Sequence, residues 1–159
     1  MHNIRLTAQE IWRFLASAPV GRIATHDHER GVSSLTPLFF VATNQRIYFV
    51  TQPGRKLEQM RRYPHGIGLQ CDQLRDGAWL SAFVWGNYRD VGIGTEYTQV
   101  TLLLAQKYGS GFVKQVRDQA RKAIQGGPME ILRSIRGATC GCIDVERIGG
   151  RAWFDSGDH

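Results

Sequence analysis

The segment from residue 47 to residue 64 changes from a strand pattern to a helix pattern, and this change restricts the possible folds. Ile47–Thr51 is a β-branched and aromatic run of the kind found in strands. Pro53 and Gly54 interrupt this run. From there, apolar side chains recur at helical spacing until Pro64. The sequence therefore predicts a strand that ends in a tight turn and is followed at once by a short helix.

The predicted turn has the chemistry of an anion site. A helix N-terminus presents amide N–H groups and the positive end of the helix dipole. Gly54 lets a ligand approach the backbone, Arg55 can hold phosphate oxygens through two N–H groups, and Lys56 adds a point charge. We interpret this turn as the phosphate site of a nucleotide-like cofactor. The alternative interpretation is an exposed turn that carries two solvated cations.

The length and composition predict one domain over residues 1–159. The chain is 42% apolar and 21% charged, as in ordinary soluble proteins. No run approaches the roughly eighteen apolar residues of a membrane span, and Met1–Arg5 lacks the apolar core of a secretion signal. Three cysteines, an odd number, fit reduced thiols. We therefore expect a cytoplasmic protein without a membrane partner.

The net charge of +6 favours anionic partners in general. The basic residues are spread over several segments, and none forms a continuous block. A single-strand nucleic-acid binder would interleave aromatic and basic side chains. Along the sequence, the aromatic residues Trp79, Phe83 and Trp85 have only Arg75 and Arg89 near them. Nucleic acid is therefore not an expected partner.

The remaining pattern predicts an α+β fold around a small barrel of six to seven mostly antiparallel strands. The predicted strands are Val20–Thr25, about Val32–Ala42, Ile47–Thr51, Gly66–Cys71, Ala78–Val91, Thr139–Ile148 and Arg151–Phe154. The second and third strands are expected to continue the first as a meander. The connections include a loop at Asp72–Gly77 and a turn at Gly149-Gly150, and Gly86 indicates a bulge or a close backbone approach.

Helices are predicted at the start of the chain, after the third strand and before the last hairpin. Thr7 and Glu10 form a capping box for a first helix that ends before Pro19. The further predicted helices are the one after Gly54, Glu96–Tyr108, Phe112–Ile124 and a short turn at Met129–Ile135.

Several common site types do not fit the sequence. No G-x-x-x-x-G-K-[ST] segment occurs, and Gly92-Ile93-Gly94 lacks the third glycine of a dinucleotide-binding fingerprint. His26 and His28, like Cys140 and Cys142, are two residues apart and do not show the usual C-x-x-C spacing of zinc sites. No serine lies in a G-x-S-x-G elbow. We therefore expect no metal and no hydrolase chemistry.

The order of these segments resembles the flavin-binding split β-barrels of the pyridoxamine phosphate oxidase-like superfamily. Within it, the chain is most similar to the small members that include nitroimidazole-resistance proteins. The resemblance covers roughly residues 7–91 in unbroken order. Its segments are Val20–Thr25, Leu35–Phe40, Ile47–Thr51, Gly54–Pro64 and Trp79–Gly86.

This resemblance implies a Greek-key-like split β-barrel and a homodimer with one FMN in each of two clefts between subunits. Arg55 and Lys56 would hold the FMN phosphate. The other implied cofactor-binding residues are Ser34, Leu35, Thr36 and Pro37 beside the isoalloxazine ring, Val50, Thr51 and Gln52 at the end of the third strand, and Ser81 from the second subunit.

The resemblance also implies an FMN-dependent oxidoreductase that acts on a small molecule, with NAD(P)H as a candidate electron donor. The flavin carries the chemistry, so no catalytic side chain is assigned. Two alternatives stay open: a non-catalytic carrier or sensor of flavin or haem, and a reductase that uses the deazaflavin coenzyme. Bulky residues on both faces of Ala78–Val91 predict that helices or a second subunit cover its outer face.

Overall fold

The computed structural model describes residues 2–43, 45–109 and 139–154, which form one antiparallel sheet with three helices. The strands are β1 (His2–Arg5), β2 (Gly21–Asp27), β3 (Val32–Leu38), β4 (Phe40–Thr43), β5 (Arg46–Thr51), β6 (Ile67–Arg75), β7 (Ala78–Asp90) and β8 (Thr139–Phe154). The helices are α1 (Ala8–Ser17), α2 (Arg55–Arg62) and α3, residues 95–109. The predicted helices Phe112–Ile124 and Met129–Ile135 lie outside the described residues.

The strand order is β3-β2-β6-β7-β8-β5-β4, with β1 paired to β8. The long strand β8 has three partners: β5 along its first part, β7 along most of its length, and β1 at its end. The predicted α+β split-barrel class is confirmed. The described residues contain eight strands where six to seven were predicted: β1 was not predicted, one predicted strand is divided in two, and the last two predicted strands form one continuous strand, β8.

The predicted strand from about Val32 to Ala42 is two strands with different partners. It is interrupted at Phe39, after which β4 begins. β3 pairs with β2, whereas β4 pairs with β5, and these pairs lie at opposite ends of the strand order. The predicted meander is therefore wrong. Periodicity does not reveal the break because the chain stays extended and apolar while it passes from one end of the sheet to the other.

The predicted loop Asp72–Gly77 is mostly strand. β6 continues to Arg75 and β7 begins at Ala78, so a two-residue turn joins them. Asp76 and Gly77 occupy this turn with φ of 50° and 75°. An Asp-Gly pair with positive φ at both positions is the preferred connection of a tight hairpin.

The predicted turn at Gly149-Gly150 is also wrong, because β8 runs through both glycines without interruption. A Cβ at Gly149 would lie 2.4 Å from the Phe83 ring, and a Cβ at Gly150 would lie 2.9 Å from the Ile11 side chain. These two glycines therefore make room for neighbouring side chains and do not reverse the chain.

Gly86 confirms both expectations for this position. The register between β7 and β8 shifts between Trp85 and Gly86, as in a β-bulge. A Cβ at Gly86 would lie 2.0 Å from the carbonyl oxygen of Asp144 on β8. The two backbones are therefore too close for any other residue at position 86.

The main core lies between α1 and the inner face of the sheet. The capping box is confirmed, since the Thr7 N–H donates to Glu10 Oε2 at 2.7 Å and the Glu10 N–H donates to Thr7 Oγ1 at 3.3 Å. The buried face of α1 packs against strand residues such as Phe40 and Phe49. That face consists of Ile11, Phe14, Leu15 and Ala18.

The helix predicted over Glu96–Tyr108 is confirmed as α3, which belongs to a second cluster of buried residues. Its Val100 and Leu104 pack with β4, β5 and β8. Cys140 and Cys142 lie in the same cluster, and burial raises the pKa of their thiols to about 11 and about 12. Both thiols therefore stay protonated and unreactive at neutral pH.

Among the described residues, no helix is both long enough and apolar enough to cross a membrane.

Candidate functional site

A cleft of about 590 Å³ opens where β5 leads into α2. Its volume lies within the range of small-molecule sites, about 300–1,000 Å³. The lining residues are Val20, Pro37, Leu38, Phe39, Val50, Thr51, Gln52, Pro53, Gly54, Arg55 and Lys56. Six of the ten residues implied by the family resemblance lie in this cleft: Pro37, Val50, Thr51, Gln52, Arg55 and Lys56.

The cleft has an apolar wall that the sequence did not reveal. Val20 and Phe39 are 40% and 45% exposed, which is unusual for large apolar side chains next to a core, and both line the cleft. Val20 directly precedes β2, and Phe39 marks the break between β3 and β4. Sequence reasoning missed them because Val20 was assigned to the start of a predicted strand and Phe39 to the interior of another. The cleft therefore offers a flat ligand an apolar surface.

The N-terminus of α2 forms the polar end of the cleft. Gly54 has φ 153° and ψ −179°, a conformation that is essentially restricted to glycine. No atom lies within 4 Å of a Cβ built there, so the backbone conformation and not crowding requires this glycine. The Glu58 N–H donates to the Gly54 carbonyl at 3.1 Å. The amides before Glu58 have no acceptor within the helix and are available to an anion.

Lys56 is the cation of the cleft that has no carboxylate partner among the described residues. Its side chain is half-buried, and this burial lowers the pKa of the ammonium group. A half-buried ammonium is more stable when an anion lies beside it. Lys56 therefore has the position and the charge to hold a phosphate at the helix N-terminus.

Arg55 lines the same cleft but is bound to the hairpin between β2 and β3. Its Nη2 donates to Asp27 Oδ1 and to Glu29 Oε2, both at 3.0 Å, and its Nε contacts Asp27 Oδ2. The guanidinium holds the pKa of the Asp27 carboxyl well below its usual range, and the hydrogen bonds that Arg55 donates to Asp27 raise the pKa of Arg55. Arg55 thus positions the hairpin against α2. Of the two predicted phosphate ligands, Lys56 is the one whose charge is not already paired with carboxylates of the described residues.

The other four implied residues do not line the cleft. Ser34, Leu35 and Thr36 precede Pro37 on β3; Ser34 Oγ hydrogen-bonds Thr25 Oγ1 at 3.0 Å, and Leu35 is 59% exposed. Ser81 lies on β7, which β8 separates from β5. Ser81 is thus not brought into this cleft by its own strand; its contact with a partner's cofactor stays an implication of the resemblance. In the described ranges, no three potential metal ligands form a cluster.

The apolar wall is held in place by the end of α3. Tyr108 Oη donates to the Phe40 carbonyl at 2.7 Å and accepts from the Phe40 N–H at 3.0 Å. Lys107 Nζ donates to the Phe40 carbonyl at 3.0 Å and lies 4.1 Å from the centre of the Phe40 ring. The Phe39 ring lies 4.8 Å from the Tyr108 ring. The position of Phe39 in the cleft therefore depends on α3.

We expect Lys107 to make the free energy of unfolding depend on pH. Burial lowers the pKa of Lys107 from 10.5 to about 8. Between these values the unfolded chain binds the proton and the folded chain does not, so the unfolding free energy rises with pH. The slope from one group is at most about 1.4 kcal/mol per pH unit. Urea unfolding of the original protein and of Lys107→Met between pH 8 and pH 9.5 measures this contribution as the difference between their slopes, because the raised thiol pKa values of Cys71, Cys140 and Cys142 act in the opposite direction in both proteins. An unchanged slope in that variant would contradict this assignment.

Comparison with known proteins supports this description of the fold. The chain is similar to a crystal structure of an FAD-binding protein from Mesorhizobium loti, with TM-score 0.68, 23% identity, and coverage of 96% of this chain and 99% of that chain. It is also similar to a candidate 5-nitroimidazole antibiotic resistance protein from Bacteroides thetaiotaomicron (TM-score 0.69, 16% identity, 95% and 87% coverage). An FAD-binding protein from Mycobacterium smegmatis matches with TM-score 0.58, 19% identity, and 96% and 99% coverage.

At these identities the structural matches establish the fold alone. No curated protein matches the sequence. The family model described as pyridoxamine 5'-phosphate oxidase, however, matches residues 7–135, which is most of the chain and includes every residue that lines the cleft. The chain therefore belongs to the pyridoxamine 5'-phosphate oxidase family.

Proposed function

We propose that the protein is an FMN-dependent oxidoreductase that binds FMN in the cleft between β5 and α2. The observation that carries this proposal is the position of Lys56 at the N-terminus of α2, where it is a half-buried cation with no carboxylate partner in the part of the chain that the structure describes. Family membership and similarity to two FAD-binding proteins support a flavin. One such cation beside one helix N-terminus suits a single phosphate group, so we favour FMN.

The residues of the cleft fit an aromatic ligand with a phosphate at one end. Lys56 and the first amides of α2 would hold the phosphate, while Pro37, Phe39 and Val50 would cover the ring system and exclude water. A bound flavin would supply electron transfer between a reductant and a small acceptor. The lining residues that the structure describes include no histidine, aspartate or glutamate, so we assign these side chains to binding and orienting the ligand.

We expect Lys56→Ala to weaken FMN binding about tenfold to hundredfold. The variant loses one charge-assisted hydrogen bond, a contribution of about 1.5–3 kcal/mol. Riboflavin has no phosphate, so its affinity should change little. Equilibrium dialysis of both ligands against both proteins measures the difference.

Arg61→Ala is the matched control for this experiment. Arg61 lies in the last turn of the same helix and pairs with Asp90 at 2.9 Å, away from the cleft. Its substitution should leave both affinities unchanged. An equal loss of FMN and riboflavin affinity in Lys56→Ala would place the phosphate elsewhere.

Anaerobic reduction tests the proposed activity. The purified protein should be yellow, and its bound flavin should lose its absorbance when NADH or NADPH is added without oxygen. Mass analysis of the released cofactor should give FMN; FAD, the deazaflavin coenzyme or haem would each contradict the cofactor assignment. If dithionite reduces the flavin and neither nicotinamide donor does, the protein is a carrier or uses another donor. We place this activity in the cytoplasm, where both donors occur.

A further inference from the structure

The end of α3 meets the chain where β4 begins, beside the cleft. β4 is the last strand in the sheet order, so in the described ranges one of its edges has no neighbouring strand. Backbone N–H and carbonyl groups at such an edge need other partners where they are buried. At Phe40, the first residue of β4, these partners come from a helix.

The hydroxyl group of Tyr108 takes the place of a neighbouring strand. It accepts a hydrogen bond from the Phe40 N–H at 3.0 Å and donates one to the Phe40 carbonyl at 2.7 Å. Opposite residues of an antiparallel strand pair exchange the same two kinds of bond. Phe40 is fully buried, so loss of a partner for its N–H would be costly. The hydroxyl therefore fixes the chain at the point where β4 begins.

Lys107 attaches α3 to the same point. Its Nζ donates to the Phe40 carbonyl at 3.0 Å and to the carbonyl of Leu15, on α1, at 3.4 Å. The Phe40 carbonyl thus keeps a donor when the Tyr108 hydroxyl is removed, whereas the Phe40 N–H loses its acceptor. Removal of this hydroxyl should consequently disturb the start of β4 without unfolding the protein.

Phe39 and Phe40 are neighbours in the chain but have different surroundings. Phe40 lies in the main core, whereas Phe39 is 45% exposed and lines the cleft. The Phe39 ring lies 4.8 Å from the Tyr108 ring, with an angle of 57° between the ring planes, which is a favourable aromatic contact. Tyr108 does not itself line the cleft, so it reaches a ligand there through Phe39.

We infer that Tyr108 is a positioning residue for the ring system of the ligand in the cleft. Its hydroxyl fixes the backbone of Phe40, its ring supports Phe39, and Phe39 contacts the isoalloxazine ring. This inference rests on the proposed function, because it takes the ligand to be a flavin. It assigns the ring system to one end of the cleft lining and leaves the phosphate to Lys56 at the other.

The sequence did not predict this role, because Tyr108 lies 68 residues from Phe40 along the chain. The helical pattern of Glu96–Tyr108 predicted α3 but did not indicate which strand its last residues contact.

Equilibrium dialysis of FMN and riboflavin against Tyr108→Phe tests this inference. The variant keeps the ring beside Phe39 and removes only the hydroxyl. We expect both ligands to bind about fivefold more weakly, on the scale of one aromatic contact, because both carry the same ring system. Lys56→Ala should differ, since it is expected to weaken the binding of FMN and not of riboflavin.

A double-mutant cycle with Phe39→Ala shows whether Tyr108 acts through Phe39. Phe39→Ala alone should weaken riboflavin binding about tenfold. Addition of Tyr108→Phe to Phe39→Ala should weaken it no further, because the side chain that Tyr108 positions is gone. An additional fivefold loss in the double variant would show a merely structural role and overturn the inference.

Two other Tyr→Phe variants are matched controls. Tyr97→Phe makes the same change within α3, at a residue that packs against the second buried cluster. Tyr48→Phe removes a hydrogen bond of 2.8 Å to Glu96, near the start of α3. Both should leave the riboflavin affinity unchanged. A loss in Tyr48→Phe equal to that in Tyr108→Phe would assign the effect to weaker attachment of the whole helix and contradict the role of Tyr108.

Hydrogen exchange of the original protein decides the same point if Tyr108→Phe does not fold. A ligand and a hydrogen bond that favours its binding stabilise each other by the same factor. Saturating riboflavin should therefore slow exchange of the Phe40 N–H about fivefold more than that of the Val145 N–H, which donates to the Gln45 carbonyl outside the cleft. Equal slowing of the two amides would refute the inference.

The dialysis result separates this inference from the proposed function. Riboflavin affinity that is unchanged in Tyr108→Phe would overturn the role of Tyr108 and leave flavin binding in place. An original protein that binds neither FMN nor riboflavin would overturn both.

Discussion

Gly86→Ala should lower the unfolding free energy by about 3 kcal/mol or more. A Cβ at position 86 would lie 2.0 Å from the carbonyl oxygen and 2.7 Å from the carbonyl carbon of Asp144. Both atoms belong to the backbone of β8, so no side-chain rotation can relieve the overlap. The strands must separate at the bulge, which disrupts the longest pairing in the sheet. Overpacking against a rigid neighbour costs this much or more.

Urea unfolding monitored by circular dichroism measures this loss, with Gly92→Ala as the control. No atom lies within 4 Å of a Cβ at Gly92, and its φ lies outside the positive range. Its substitution should change stability by no more than about 0.5 kcal/mol. A Gly86→Ala protein within about 1 kcal/mol of the original would show that β8 can move away from β7 at little cost.

Trp79→Glu should convert the proposed homodimer into monomers. The inner face of β7 is buried in the barrel, as Ala82 and Val84 show, whereas Trp79 on the outer face is 47% exposed. The register partners of Trp79 are Leu74, 66% exposed, and Trp153. An apolar face of this kind is typical of a dimer interface, and we propose that a second copy of the chain covers it.

A two-fold interface would bury residue 79 of both subunits, so one substitution places two unpaired charges in it. We expect the dimer to dissociate at least about a hundredfold more readily, a difference of about 2.7 kcal/mol. Sedimentation velocity at micromolar concentration should give twice the 17.9 kDa chain mass for the original protein and the chain mass for Trp79→Glu.

Ile93→Glu is the matched control, because Ile93 is 88% exposed and lies in the connection between β7 and α3. It should stay dimeric. Phe83 and Trp85 lie on the same face of β7 as Trp79. A charged residue at either position is also expected to favour dissociation of the dimer. An original protein that sediments as a monomer and retains flavin would exclude Ser81 of a second subunit from the cofactor site.

Local chemistry allowed the sequence to predict several elements. The capping box of Thr7 and Glu10 and the strand–turn–helix around Gly54 each depend on residues a few positions apart. The bulge at Gly86 was predictable because glycine weakens the interior of a strand, so a glycine there indicates a bulge or a close approach of another backbone. The Asp76-Gly77 turn had an equally local signal, which was missed because the polar residues before it were taken as a loop.

Features that depend on partners from distant parts of the chain could not be predicted from the sequence. The break at Phe39 is defined by what β3 and β4 pair with, and not by their composition. Arg55 lines the cleft, but the sequence did not show that Asp27 and Glu29 bind it. In the sequence, Gly149-Gly150 looks like a turn. Their steric role can be seen only in the fold, where Phe83 lies against Gly149 and Ile11 against Gly150.

The position of β8 in the sheet has a consequence for synthesis of the protein on the ribosome. Every residue of the cleft is translated before residue 57, yet β5 obtains its second neighbour only when Thr139–Asp144 pairs with it. A nascent chain that stops before residue 139 therefore leaves β5 with one partner and β7 with one partner. Pairings this distant in sequence form slowly. The proposed FMN should consequently bind after translation has ended, and riboflavin starvation during expression should leave apoprotein that later accepts FMN.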